Sequence, residues 1–179
     1  MKLPKSARLH HRSLQERLFN EGSKLHEFPL KMMWNVLSAE ELEKNFRNRV
    51  PDLIGPVQVL VSVPKKKRRK AVDRVLMRRR IREAFRLNRQ LILDFLGDKP
   101  EIRTLSIALI YMKEANAPYS VVEERLRRLI EKLKEKIEAS LAEDKAENAE
   151  SGSLAESVAE EGSGVGPDDA GEVAVGGDA

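Results

Sequence analysis

Apolar residues change their period several times along the chain, and each change marks an element. Leu14, Leu18 and Phe19 recur at helical intervals, with Ser13 and Glu16 at capping-box spacing and Gly22 suited to a left-handed stop. That predicts a helix over 13–21. From Phe28 the period drops to two, so Phe28, Leu30, Met32, Trp34 and Val36 share one face of an expected strand, and core packing is expected for Phe28 and Trp34. A charged connection from Ser38 to Pro56 follows, with room for a helical turn within Glu40–Arg47. Val57–Val63 and Thr104–Tyr111 then read as buried, β-branched strands.

Between those two strands no Pro or Gly interrupts Ala71 to Phe95. On a helical wheel Met77, Ile81, Ala84, Leu91 and Phe95 fall on one side with Asn88 among them, and Gly97, Asp98 and Pro100 end the helix. A last helix opens at Ser120, with Glu123 at capping-box spacing and a stripe of Val121, Val122, Leu126, Leu129, Ile130, Leu133 and Ile137. Helix, strand, strand, long helix, strand, helix: this order buries its apolar faces most economically as a small α/β sandwich, a mixed central sheet with three helices.

Charge divides the chain in two. Glu143–Ala179 carries eleven acidic residues against Lys145 alone, whereas Met1–Ala142 carries 32 basic and 18 acidic residues. The expected organisation is a basic N-terminal arm over 1–12, a domain over 13–142 and an acidic, disordered Ala/Glu/Gly/Ser tail over 143–179. Absence of cysteine excludes disulfide scaffolds, iron–sulfur clusters and thiol nucleophiles. No apolar run approaches the length of a membrane span, so a cytoplasmic protein without membrane contact is expected. A basic body of this kind suits a polyanionic partner, and nucleic acid is the obvious one.

The segment Lys65–Arg89 holds thirteen bases and two acids. Within it Arg74, Arg78, Arg82, Arg86 and Arg89 line up at spacings of three and four, on a side adjacent to the apolar one. Guanidinium forks at such a pitch can engage successive phosphates from one rigid element. A solvated helix face is the plainer alternative, but such faces usually mix both signs. Lys65, Lys66, Lys67, Arg68, Arg69 and Lys70 extend the same surface. Catalytic candidates are lacking. His10 and His11 fall in the arm, no acidic cluster stands near them in sequence, and Glu40, Glu41 and Glu43 read as a solvated face rather than a magnesium site.

These residues resemble a known family, the protein component of bacterial ribonuclease P. The likeness runs from about Arg8 to Leu133 and rests on Leu18-Phe19-Asn20-Glu21-Gly22, on Val59–Val63 followed by Pro64-Lys65-Lys66, and above all on Lys70-Ala71-Val72-Asp73-Arg74 with Arg78–Arg86. One departure is plain. Val75 and Leu76 stand where the family has Asn and Arg.

The resemblance implies a fold like the second domain of ribosomal protein S5, with a left-handed βαβ crossover through the basic helix. It implies a partner RNA subunit that, with magnesium, cleaves the 5′ leader from precursor tRNA, the protein contributing no catalytic residue and binding no metal or cofactor. By the same resemblance Lys65–Lys70, Arg74, Arg78, Arg79, Arg82, Arg86 and Arg89 hold the RNA subunit. Gln15, Phe19, Lys31 and Met33 line a cleft for the single-stranded leader, and a short shift of register would put Trp34 there instead. Three other readings share part of the pattern: a ribosomal or ribosome-assembly RNA-binding protein, a DNA-binding module and a metal-dependent nuclease acting alone. The acidic tail is expected to compete with RNA for the basic face and to suppress nonspecific binding.

Overall fold

The computed structural model describes residues 3–47 and 49–156, with side chains through 143. It divides into two compact units, Met1–Glu138 and Ala139–Ala179. The first holds α1 (Arg12–Glu21), β1 (Ser23–Glu27), β2 (Leu30–Leu37), α2 (Ala39–Asn45), β3 (Val57–Ser62), α3 (Ala71–Gly97) and β4 (Thr104–Tyr111), preceded by a 3-10 turn at Lys5–Ala7. The last helix, α4, is Tyr119–Glu156. Helical backbone thus continues past the expected boundary at 142, through an Ala/Glu/Lys-rich stretch free of Gly until Gly152. Residues 157–179 of the expected tail lie outside the described residues.

The four strands pair in the order β1-β2-β4-β3. β2 is antiparallel to both β1 and β4, whereas β3 and β4 are parallel, with α3 as the crossover between them. This is the mixed sheet expected. Alternation sends Met33 and Leu37 to one side, where they meet Leu14 and Leu18 of α1, Leu42 of α2, Leu9, Ile54 and Ala108. Leu30, Met32 and Trp34 face the other side with Leu105, Ile107 and Tyr111, under the apolar stripes of α3 and α4.

Several expectations are corrected. β1 is an additional strand whose Ser-Lys-Leu-His-Glu sequence has no apolar alternation beyond Leu25, as suits an edge strand. Phe28 is not core: it sits in the turn between β1 and β2, before a cis Pro29, and is 66% exposed. His11, not Ser13, precedes α1, and the Ser13 hydroxyl instead accepts from Asn45 Nδ2 at 3.0 Å. The capping box lies at Ser38 and Glu41, opening α2. Glu123 accepts from Arg127 and Asn88 rather than capping α4. Gly22 is extended, φ −67°, not left-handed; an added Cβ would lie 2.2 Å from the Leu18 carbonyl oxygen.

On α3 the buried stripe is Met77, Ile81, Ala84, Phe85, Asn88, Ile92 and Leu96, so Leu91 is exposed and Phe95 only half-buried. A helix this long drifts around its axis, and the core follows the drift. The N-terminal arm is no arm. Leu3, Ala7 and Leu9 are buried, Arg8 forms a parallel bridge with Val59, and the Leu9 N–H donates to the Val59 carbonyl at 3.1 Å.

Candidate nucleic-acid interface

The basic segment separates into residues that build the surface and residues that present it. Pro64 to Lys67 form a tight turn, in which the Lys67 and Arg68 N–H groups both donate to the Pro64 carbonyl at 3.1 Å. Arg68 is buried. Its guanidinium donates to the Glu114 carbonyl and Asn116 Oδ1 and lies 3.3 Å from Asp73, tying the turn to the segment after β4. Arg74 turns back onto the carbonyls of Arg68 and Arg69 at 2.9 and 2.6 Å. Arg80 donates to the Ala117 carbonyl at 2.5 Å. These three arginines hold the scaffold. Arg86 is engaged by Glu83 at 2.6 Å, and Lys67 by Glu114 at 3.7 Å.

The side chains of Lys65, Lys66, Arg69, Lys70, Arg79 and Arg82 make no hydrogen bond or ion pair among the described residues and are at least partly open to solvent. Arg82 is the centre of the unneutralised charge. Burial, and then the neighbouring cations Arg78, Arg8 and Arg79, hold its guanidinium below the usual arginine range. Arg82 thus stands among three other arginines from two segments, and with Arg8 it borders a pocket of about 260 Å³ also lined by Leu3, Leu9, His10, Val59, Leu60 and Val61. Anions relieve such a cluster, and phosphate oxygens fit guanidinium forks. Arg8 and His10 were missed as members; the only sequence signal was their place in a basic N-terminal stretch. Arg89, further along, is half-buried with Nε unpartnered and is likewise lowered by burial.

A second surface lies on the α1 side of the sheet. Strand register aligns His26, Lys31, Ile110 and Ser62 in one row across all four strands. Lys24, Met33, Ala108 and Leu60 form the next row, which α1 covers through Leu14 and Leu18. Phe19, at the end of α1, is 43% exposed, and Lys31 is half-buried in the open row. Met33 is at the cleft position in the register but buried under α1, so it supports the floor instead of lining it. Gln15 is half-buried, and Nε2 donates to the Leu9 carbonyl at 2.9 Å, which bends the N-terminal segment against α1. Trp34 points to the opposite side and is buried, which settles the register against it. Among the described residues no three His, Asp or Glu gather where a metal ion could be held. Nor is any described helix long and apolar enough to cross a membrane.

The sequence model of the family described as ribonuclease P matches residues 3–134. The chain belongs to the ribonuclease P protein family. It is therefore an RNA-binding subunit of tRNA 5′-end processing. The ribonuclease P protein component of Porphyromonas gingivalis strain W83 is 31% identical over 108 residues, which cover 60% of this chain and 70% of that protein. Among solved structures, a Staphylococcus aureus ribonuclease P protein mutant superposes with a TM-score of 0.50 at 18% identity, covering 73% of this chain and 90% of that one. The ribonuclease P protein of Thermotoga maritima gives 0.48 at 21% identity, covering 70% and 96%. In this family setting the buried Arg68 of the turn and the folded-back Arg74 at the start of α3 belong to the scaffold.

Proposed function

We propose that the chain docks on the RNA subunit of ribonuclease P through Arg8, Arg78, Arg79 and Arg82, with Lys65, Lys66, Arg69 and Lys70 extending the contact. The 5′ leader of precursor tRNA passes over the open row on the α1 side of the sheet, beside Phe19 and Lys31. The observation that carries this reading is the unneutralised arginine cluster around Arg82, whose mutual repulsion a run of phosphates would relieve. Hydrolysis belongs to the RNA subunit and the magnesium it holds. The protein's part is to neutralise phosphate repulsion and to hold the substrate in place. The setting is the cytoplasm.

The test mixes the purified protein with a bacterial ribonuclease P RNA and a 5′-labelled precursor tRNA at low magnesium. Cleavage at the mature 5′ end that needs both components supports the reading. RNA binding without stimulated cleavage overturns it in favour of a ribosomal or assembly RNA, and cleavage by the protein with magnesium alone would make it the nuclease.

A further inference from the structure

Aromatic residues are scarce in this chain, with five Phe, two Tyr and one Trp, yet Phe28 is 66% exposed. It occupies the tip of the β1–β2 hairpin, and the tip is braced on both flanks. Glu27, just before it, is bound by Lys132 and by Arg125 at 3.4 Å, and the Met112 N–H donates to the Pro29 carbonyl at 2.9 Å. Alternation along β4 puts Met112 on the same side of the sheet as Ile110, one row beyond His26, Lys31, Ile110 and Ser62. Met112 is itself 37% exposed.

Positive charge surrounds this apolar pair. Lys31 stands in the adjoining row, Lys113 follows Met112, and the Lys65–Lys67 turn is fastened to Glu114 through Lys67 and Arg68. A single exposed Phe is ordinary on a protein surface. A braced one, continuous with a basic single-strand path, is built for a flat apolar partner between phosphates.

We propose that Phe28 and Met112 form a stacking position for one unpaired base of the substrate's single-stranded leader, at the open end of the sheet beyond Lys31. The proposal rests on the leader path described above. An aromatic ring takes any base by its π-face, and the lysines meet the flanking phosphates, so the position grips single-stranded RNA without reading its sequence.

The test uses the holoenzyme reconstituted with the RNA subunit and precursor tRNAs carrying a single abasic site moved along the leader, together with leaderless tRNA. With the unsubstituted protein, one abasic position should weaken binding by roughly 5- to 150-fold. In Phe28→Ala the intact leader should lose about as much, and the abasic site at that position should cost nothing further. Phe28→Trp should restore the intact affinity. Equal loss on leaderless tRNA, or no position coupled to Phe28, overturns the proposal. If Phe19→Ala and Lys31→Ala lose the discrimination between leader-bearing and leaderless substrate, the path survives without the stacking position; if they keep it, the path fails as well.

Discussion

The guanidinium of Arg74 donates through Nη1 to the carbonyl oxygen of Arg68 at 2.9 Å, so the start of α3 clasps the basic turn that precedes it. Arg74→Ala frees the carbonyls of Arg68 and Arg69 and should destabilise the domain by about 1–2 kcal/mol. Arg79→Ala, at an exposed side chain with no described partner, should leave stability unchanged and weaken RNA binding. Urea unfolding followed by circular dichroism, run beside RNA titrations, separates the two effects. Equal stability losses in both variants would contradict the division into scaffold and surface.

The arginine cluster also predicts a salt response. If about five to seven phosphates are engaged, log affinity for the RNA subunit should fall against log salt with a slope of roughly −4 to −6. Replacing Arg78 and Arg82 together by Ala should flatten that slope by about 1.5, with the far-ultraviolet helix signal intact. A slope near zero in the unsubstituted protein would contradict electrostatic docking.

Glu27 links the sheet edge to α4. Its hydrogen bond to Lys132, with a smaller contribution from Arg125, holds its carboxyl below the ordinary value of 4.5 even though burial opposes this. A carboxylate lowered in the folded state stabilises above its unfolded pKa, and that stabilisation disappears as pH falls through the folded one. Stability should therefore drop more steeply below about pH 4.5 in the unsubstituted protein than in Glu27→Gln. At neutral pH Glu27→Gln should be weaker by about 1 kcal/mol. Urea midpoints across pH check both statements; parallel curves would remove Glu27 from the acid response.

Much of this architecture is legible in the residue order, because α1, β4 and the first half of α3 carry unmixed apolar periods. Leu14 and Leu18, Thr104–Leu109 with Tyr111, and Met77, Ile81 and Ala84 are buried as their spacing implies. Legibility ends where the partner is distant in sequence. Nothing local separates Arg68 from the lysines before it; its role comes from Glu114 and Asn116, placed beside it only once β4 lies parallel to β3. Phe28 fits a two-residue period as well as Leu30 does, and only the hairpin turn takes it out of the strand.

Two glycines give opposite expectations. Gly22→Ala would push a methyl to 2.2 Å from the Leu18 carbonyl oxygen, with Trp34 backbone on its other side, and should cost more than about 2 kcal/mol. Gly97→Ala, the last residue of α3 with open space around it, should stabilise by about 0.5–1 kcal/mol. Thermal unfolding midpoints on either side of the unsubstituted protein are the expected result.

The acidic end of the chain makes a separate prediction. Deleting residues 143–179 removes eleven acids and one base, and should tighten nonspecific RNA binding at low salt while changing little at high salt. Unchanged low-salt affinity would rule out a screening role for those charges.

β4 is the strand between β2 and β3, and it emerges last from the ribosome, after the whole of α3. Until then β2 and β3 have no shared partner, and β3 lacks a neighbouring strand through the synthesis of the basic helix. The late closure of a parallel pair across so long a connection makes this a high-contact-order fold, for which slow acquisition of structure is the expectation. A nascent chain stalled before Thr104 would leave β3 without a neighbouring strand and one edge of β2 open beside a strongly cationic segment, a species prone to aggregation and to premature capture by RNA.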